Sequence, residues 1–155
     1  MLVIEPPGRE PLRISHLLLD YNGTIAEDGL LLQGVASRLE ALCKTLDISV
    51  LTADTHGTAA DRCADLPVEV KVFPTVEVGR IKAEEAGRLG GGVACIGNGF
   101  NDILMSDACA LSICVIGREG CCGALLSHAD VVVTSITDAL DLLLKPDRLR
   151  ATLRT

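Results

Sequence analysis

The sequence predicts an α/β fold, a three-layer α/β/α sandwich around a mainly parallel, doubly wound, Rossmann-like sheet. Three observations carry this reading. Short runs rich in Val, Ile and Leu recur along the chain. They are apolar throughout rather than alternating, the mark of strands buried on both faces. Between them lie longer segments with helical periodicity, and such alternation argues for βαβ units and a parallel sheet. The right-handed crossover rule then gives the doubly wound sandwich.

The elements follow in order. Leu2–Glu5 and Leu12–Ser15 flank Pro6-Pro7-Gly8-Arg9, a turn, so residues 1–13 read as an N-terminal β-hairpin appended to the sheet edge. The first full strand is Ile14–Leu19. A helix over Val35–Leu46 places Val35, Leu39, Leu42 and Leu46 on one face. Strands follow at Ile48–Leu51 and Val68–Phe73, then a helix at Val78–Leu89. Gly90-Gly91-Gly92 supplies its C-cap and a tight turn. The strand Val93–Ile96, the helix Asn101–Cys109 and the strand Leu111–Ile116 come next. A helix over Gly120–His128, the strand Asp130–Val133 and the helix Ile136–Leu144 complete the set. At 155 residues, one domain over 1–155 is the expectation.

Composition narrows the function. Hydrophobic residues make up 48% but aromatics only 2%, so the core is built from Leu, Val, Ile and Ala. Base-stacking platforms are excluded by the missing rings. The 14 Lys and Arg against 21 Asp and Glu, a net charge of −7, argue against nucleic acid. Mean hydropathy is +0.38, yet runs such as Leu111–Ile116 fall far short of the about 18 residues of a spanning helix. No membrane segment and no signal peptide are read. Seven Cys without a CxxC are expected to be buried, reduced thiols of a cytoplasmic protein, with Cys121–Cys122 the alternative redox pair.

In open α/β sheets, ligands bind beyond the carboxyl ends of the strands. Three such ends carry small, polar or acidic residues: Asp20-Tyr21-Asn22-Gly23-Thr24, Thr52-Ala53-Asp54 and Gly97-Asn98-Gly99-Phe100-Asn101-Asp102. Asp20 is a carboxylate able to attack phosphorus. Gly23 lets the backbone turn closely, and N–H groups exposed in that loop favour an anion. Thr52 offers a hydroxyl, and Lys82 a cation. Asp102 is an oxygen ligand for Mg²⁺. Singly, each has a plain structural role as turn residue, N-cap or solvated helix residue. Gly97-x-Gly99 is a weak dinucleotide signal, since Asp102 stands where a third glycine belongs. The combination in this order is the informative feature.

The four motifs together resemble the haloacid dehalogenase superfamily of phosphohydrolases. Leu17–Thr24 looks like its first motif, Leu51-Thr52 the second, Lys82 the third and Gly97–Asp102 the fourth. The strings DYNGT, TAD and GNGFND are closest to the DKTGT, TGD and GDGxND of P-type ATPase phosphorylation domains. The resemblance covers about residues 14–133. It implies Asp20 as nucleophile and metal ligand, with the main-chain carbonyl of Asn22, Asn98 and Asp102 completing a Mg²⁺ site. It implies Thr52, Ala53, Gly23 and Lys82 as the grip on a phosphoryl group, and Asn101 as ordering its loop. Asp54 is a further candidate outer ligand, and His56, Arg80 and Arg118 are candidate substrate contacts.

Two residues depart from the family pattern. Asn22 stands where many of its phosphatases have an Asp acting as general acid and base, help worth about 10²–10⁴-fold. An amide cannot exchange that proton. Asn98 replaces the first Asp of GDGxND and removes one carboxylate. Only residues 25–51 separate the first two motifs, room for a flap and a helix but not for a cap or nucleotide domain. The expectation is a capless, Mg²⁺-dependent phosphohydrolase or phosphotransferase forming an aspartyl-phosphate on Asp20. Its partner is a phosphorylated substrate of unnamed kind, with a homo-oligomer as a further expectation. The alternatives are a non-catalytic phosphate- or Mg²⁺-binding protein and a nucleotide-binding regulatory module.

Overall fold

The computed structural model describes residues 1–53 and 58–155. The chain opens with β1 (Leu2–Ile4), β2 (Leu12–Ile14) and β3 (His16–Asp20). A short flap, β4 (Ala26–Glu27) and β5 (Leu30–Leu31), precedes α1 (Val35–Leu42), β6 (Asp47–Thr52) and α2 (Ala59–Arg62). Then come β7 (Glu69–Val72), α3 (Val78–Arg88), β8 (Val93–Gly97), a 3-10 turn at Phe100–Asp102, α4 (Ile103–Ala108) and β9 (Leu111–Val115). A 3-10 segment over Gly123–His128, β10 (Val131–Val133), α5 (Ile136–Leu144) and α6 (Pro146–Thr152) close it.

Six strands form one sheet in the order β10-β9-β8-β3-β6-β7, with all neighbouring pairs parallel. The period of two in a strand divides its side chains between two helical layers. Leu17 and Leu19 of β3, Ala94 and Ile96 of β8, and Ile48 and Val50 of β6 face the layer that holds α1, α5 and α6. Leu18, Leu51, Val93 and Cys95 face the layer of α3 and α4, where Ala86 and Met105 meet them. Full burial of each Leu, Ile, Val or Met side chain contributes about 1.5–3 kcal/mol. Aliphatic packing therefore replaces the missing aromatics.

The N-terminal hairpin forms, but not on the sheet edge. β1 and β2 pair only with each other, and β1 packs on α6. The reason is connectivity: β2 runs through Ser15 straight into β3, a central strand, whereas the edges belong to β10 and β7. Other boundaries shift as well. The helix expected to reach Leu46 ends at Leu42, and the helix expected over Gly120–His128 is a 3-10 segment that starts at Gly123. The expectation missed α6. Its signals were Pro146 at the first turn and the buried Leu149 and Leu153 one turn apart.

Candidate active site

Asp20 is the last residue of β3 and has the parity of Leu18, so its side chain falls on the α3–α4 side of the sheet. There α3 presents Lys82, which is fully buried. The Lys82 ammonium donates to Oδ1 of Asp20 and, at 2.7 Å, to Oδ1 of Asp102. Asp102 ends the 3-10 turn and folds back toward β8, where its Oδ2 accepts the N–H of Asn98 at 3.0 Å and of Gly99 at 2.9 Å. Gly97 makes this possible, since a Cβ there would sit 2.4 Å from Asp102 Oδ2.

The other oxygen of Asp20 belongs to a second chain of contacts. The Thr24 hydroxyl lies 3.1 Å from Asp20 Oδ2 and 3.1 Å from Asn98 Oδ1, so one proton is shared between two acceptors. Asn98 Nδ2 donates to the Gly120 carbonyl at 3.1 Å, and the Cys122 N–H donates to the Asn98 carbonyl at 2.8 Å. The expectation missed these roles of Thr24, Gly120 and Cys122. Thr24 was legible only as a turn hydroxyl, and the loop after β9 carries no sequence signal for this site.

Two buried carboxylates thus share one buried ammonium. Burial, with the charge of Asp102 next, pushes the Asp20 carboxyl up to about 6, against the opposing pull of Lys82 and Thr24. Burial acts to lower the Lys82 ammonium, but Asp20 and Asp102 outweigh it and hold it above its ordinary value. The cluster keeps a surplus of negative charge at neutral pH.

The loop after Asp20 is wound on one acceptor: the Tyr21 carbonyl receives the N–H groups of Thr24 at 3.2 Å and of Ile25 and Ala26 at 3.0 Å. Gly23 donates its own N–H to Ala26 at 2.8 Å, so this N–H, expected to serve an anion, is committed within the loop. Gly23 has φ +76, and a Cβ there would meet Asn98 Nδ2 at 2.3 Å. Gly23→Ala is expected to lower stability by at least about 1–2 kcal/mol, the cost of a left-handed alanine. Urea unfolding checks this, and an unchanged midpoint would contradict the close fit against Asn98.

Thr52 is buried at the end of β6, beside β3 in the sheet, and Ala53 follows it. Asn101 is exposed. Asp54 and His56 lie outside the described residues. Arg80 is occupied with Glu77 and Glu84 on the surface of α3. Arg118 faces Glu27 at 3.5 Å across a cavity of about 370 Å³ that Gly23 and Thr24 also line. Among the described residues no group of three or more His, Cys, Asp or Glu forms a metal cluster. No helix among them is long and apolar enough to cross a membrane.

No protein-family model matches the chain. Two uncharacterized proteins of Methanocaldococcus jannaschii resemble parts of it. One is 50% identical over 62 residues, 40% of this chain and 67% of that protein. The other is 51% identical over 39 residues, 25% of this chain and 89% of that protein. Solved structures match almost end to end. A 3-deoxy-D-manno-octulosonate 8-phosphate phosphatase from Moraxella catarrhalis, in complex with magnesium, phosphate and KDO, superposes with TM-score 0.71 at 16% identity, over 91% of this chain and 94% of that one. The cobalt-bound phosphatase of the same kind from Haemophilus influenzae gives 0.72 at 14% identity, over 92% and 94%. A proposed HAD family hydrolase from Streptomyces avermitilis gives 0.69 at 20% identity, over 91% and 92%. The chain has the haloacid dehalogenase fold. In this haloacid dehalogenase fold, Asp20, Thr52 and Gly97 stand at the carboxyl ends of three adjacent strands. Between Thr24 and β6 the chain carries only the β4–β5 flap and α1, so no cap domain is inserted there.

Proposed function

We propose that the chain is a capless, magnesium-dependent phosphohydrolase or phosphotransferase that forms an aspartyl-phosphate on Asp20. The observation that carries this reading is the buried Lys82 ammonium joining Asp20, at the end of β3, to Asp102, in the 3-10 turn after the adjacent β8. The named substrates and metals of the structural neighbours support it.

The donor set fits magnesium, which takes oxygen ligands and is commonly held by one or two carboxylates, waters and substrate phosphate. Asp20 offers a carboxylate, and Asn98 an amide oxygen tied to it through Thr24. The main-chain carbonyl of Asn22 belongs to the same loop. The surplus negative charge around Asp20 and Asp102 suits a cation. Asp102 has spent one oxygen on Lys82 and the other on two N–H groups. In this reading Asp102 positions Lys82, and its Lys82-bound oxygen keeps a lone pair for the metal, directly or through a water. When bound, the ion supplies Lewis-acid stabilisation of phosphoryl charge.

The residues divide the reaction as follows. An Asp20 oxygen attacks phosphorus, and the bond from phosphorus to the leaving oxygen breaks. Lys82 and Thr52, with the backbone at Ala53, balance the phosphoryl charge. The leaving oxygen takes its proton from solvent, since the Asn22 amide holds its N–H protons too tightly to transfer one near neutral pH. Water then attacks the aspartyl-phosphate, releasing phosphate and restoring Asp20. With no base at residue 22 this second step is slow. The open strand ends suit a large substrate or closure by a second copy of the chain.

Incubation with acetyl phosphate or para-nitrophenyl phosphate and Mg²⁺ tests the reading. Wild type is expected to turn over, or to trap a covalent adduct seen by mass spectrometry, while Asp20→Asn does neither. Equal rates for the two proteins would overturn the assignment. Asn22→Asp is expected to speed steady-state hydrolysis toward the about 10²–10⁴-fold that acid–base catalysis supplies. A variant no faster than wild type would remove the missing-acid argument. A second reading, a non-catalytic phosphate or Mg²⁺ binder, draws on Asn22 and Asn98. It would show as phosphate binding without any adduct.

A further inference from the structure

Among the described residues, loop 117–122 is the one element of the site that comes from neither a strand end motif nor a helix. It is closed by a bridge between Gly117 and Gly120, and it holds Asn98 from both sides through Gly120 and Cys122. A thiol pair stands at its base. Cys114 Sγ, in β9, lies 2.8 Å from Cys121 Sγ. A disulfide needs about 2.05 Å between sulfurs, so the remaining gap is less than about 1 Å. Cys114 is buried, whereas Cys121 is partly exposed. The chain neighbour Cys122, the alternative partner that adjacency offers Cys121, spends its N–H on Asn98.

We propose that Cys114 and Cys121 are a reversible redox-modification site, oxidised by a peroxide to an intramolecular disulfide that closes the loop against Asn98. The order of events follows from exposure. Cys121 is the sulfur that solvent reaches. Its attack on hydrogen peroxide gives a sulfenic acid and one water. Cys114 sulfur then attacks that sulfur, the S–O bond breaks, and the Cys114 proton leaves with the hydroxyl as a second water. Two thiols lose two electrons, and one peroxide gains them. Burial, with Cys121 next, pushes the Cys114 thiol up to about 12, which leaves it inert toward the oxidant until its partner is activated. A dithiol reductant reverses the bond by exchange. The oxidation stands independently of phosphoryl transfer, since neither Cys114 nor Cys121 takes part in that reaction.

The test uses the full chain, folded by circular dichroism, and treated with hydrogen peroxide at rising molar ratio. Free thiols are expected to fall from seven to five, and to recover with dithiothreitol. Trypsin cuts after Arg118, between the two cysteines, so the disulfide joins two separate peptides. That link is expected in wild type and in Cys122→Ser, and is expected to be lost in both Cys114→Ser and Cys121→Ser. Hydrogen exchange over residues 117–120 is expected to slow in the oxidised protein. A Cys121–Cys122 bond, a link between two chains, or no loss of thiols while the protein stays folded would each overturn the proposal.

Discussion

Replacing Asp20 with Asn is expected to abolish the covalent phosphoryl adduct and, at the same time, to raise the stability of the metal-free protein. The two effects share a cause. A carboxyl moved from 3.8 to about 6 is harder to ionise in the folded chain, by about 3 kcal/mol. Its sign is destabilising: the folded state binds the proton more tightly, so stability rises as pH falls from about 6 toward 4, and the cost is complete above 6. The amide introduced by Asp20→Asn would keep an acceptor for Lys82 without the charge beside Asp102. The gain should reach about 1–3 kcal/mol at pH 8, shrink below pH 6 and vanish near pH 4. Urea unfolding in a chelator at several pH values measures it. A variant less stable than wild type at pH 8, or an advantage that ignores pH, would show that the carboxylate surplus does not exist.

Lys82→Met should have the opposite sign and the larger size. The side chain is fully buried and is the cation that faces both Asp20 and Asp102. Removing one partner of a buried ion pair costs about 3–5 kcal/mol, because the charge left behind has lost both water and counter-ion. Here two carboxylates are left, and the loss should deepen above pH 6 as Asp20 ionises. The pair Lys82→Met with Asp20→Asn should recover part of it, and a double-mutant cycle reads the coupling. A loss under about 1 kcal/mol for Lys82→Met would mean that Asp20 and Asp102 are not held as buried charges.

Much of this was legible in the sequence, for physical reasons. Strands buried on both faces leave unmistakable apolar runs, so β6, β8 and β9 were found to within a residue at each end and β3 to within two, its expected start at Ile14 falling in β2. Strand ends in a parallel sheet gather on one side, so Asp20, Thr52 and Asp102 were placed on that side from chain order alone. The division of labour within the site was not legible. That Asp102 meets Lys82 depends on how the 3-10 turn at Phe100–Asp102 folds back over Gly97, and no periodicity encodes that. The hairpin's position depended on the rank of β3 in the sheet, a long-range property. Loop 117–122 escaped because its grip on Asn98 is made by the Gly120 carbonyl and the Cys122 N–H, backbone groups that every sequence has.

Asn98 bears on the history of the site. Its amide accepts from Thr24 on one side and donates to Gly120 on the other. A carboxylate has no proton to donate at neutral pH. An Asp at this position would gain a charge for a cation and lose the Gly120 contact, leaving the Cys122 N–H to hold the loop, beside an Asp20 that already struggles to ionise. The two forms of the site are therefore separated by a step that is unfavourable alone. A lineage crossing it would have to compensate for the lost Gly120 contact, or acquire both changes together. The order of mutations, and not only their final sum, is constrained by which end of one side chain carries hydrogens.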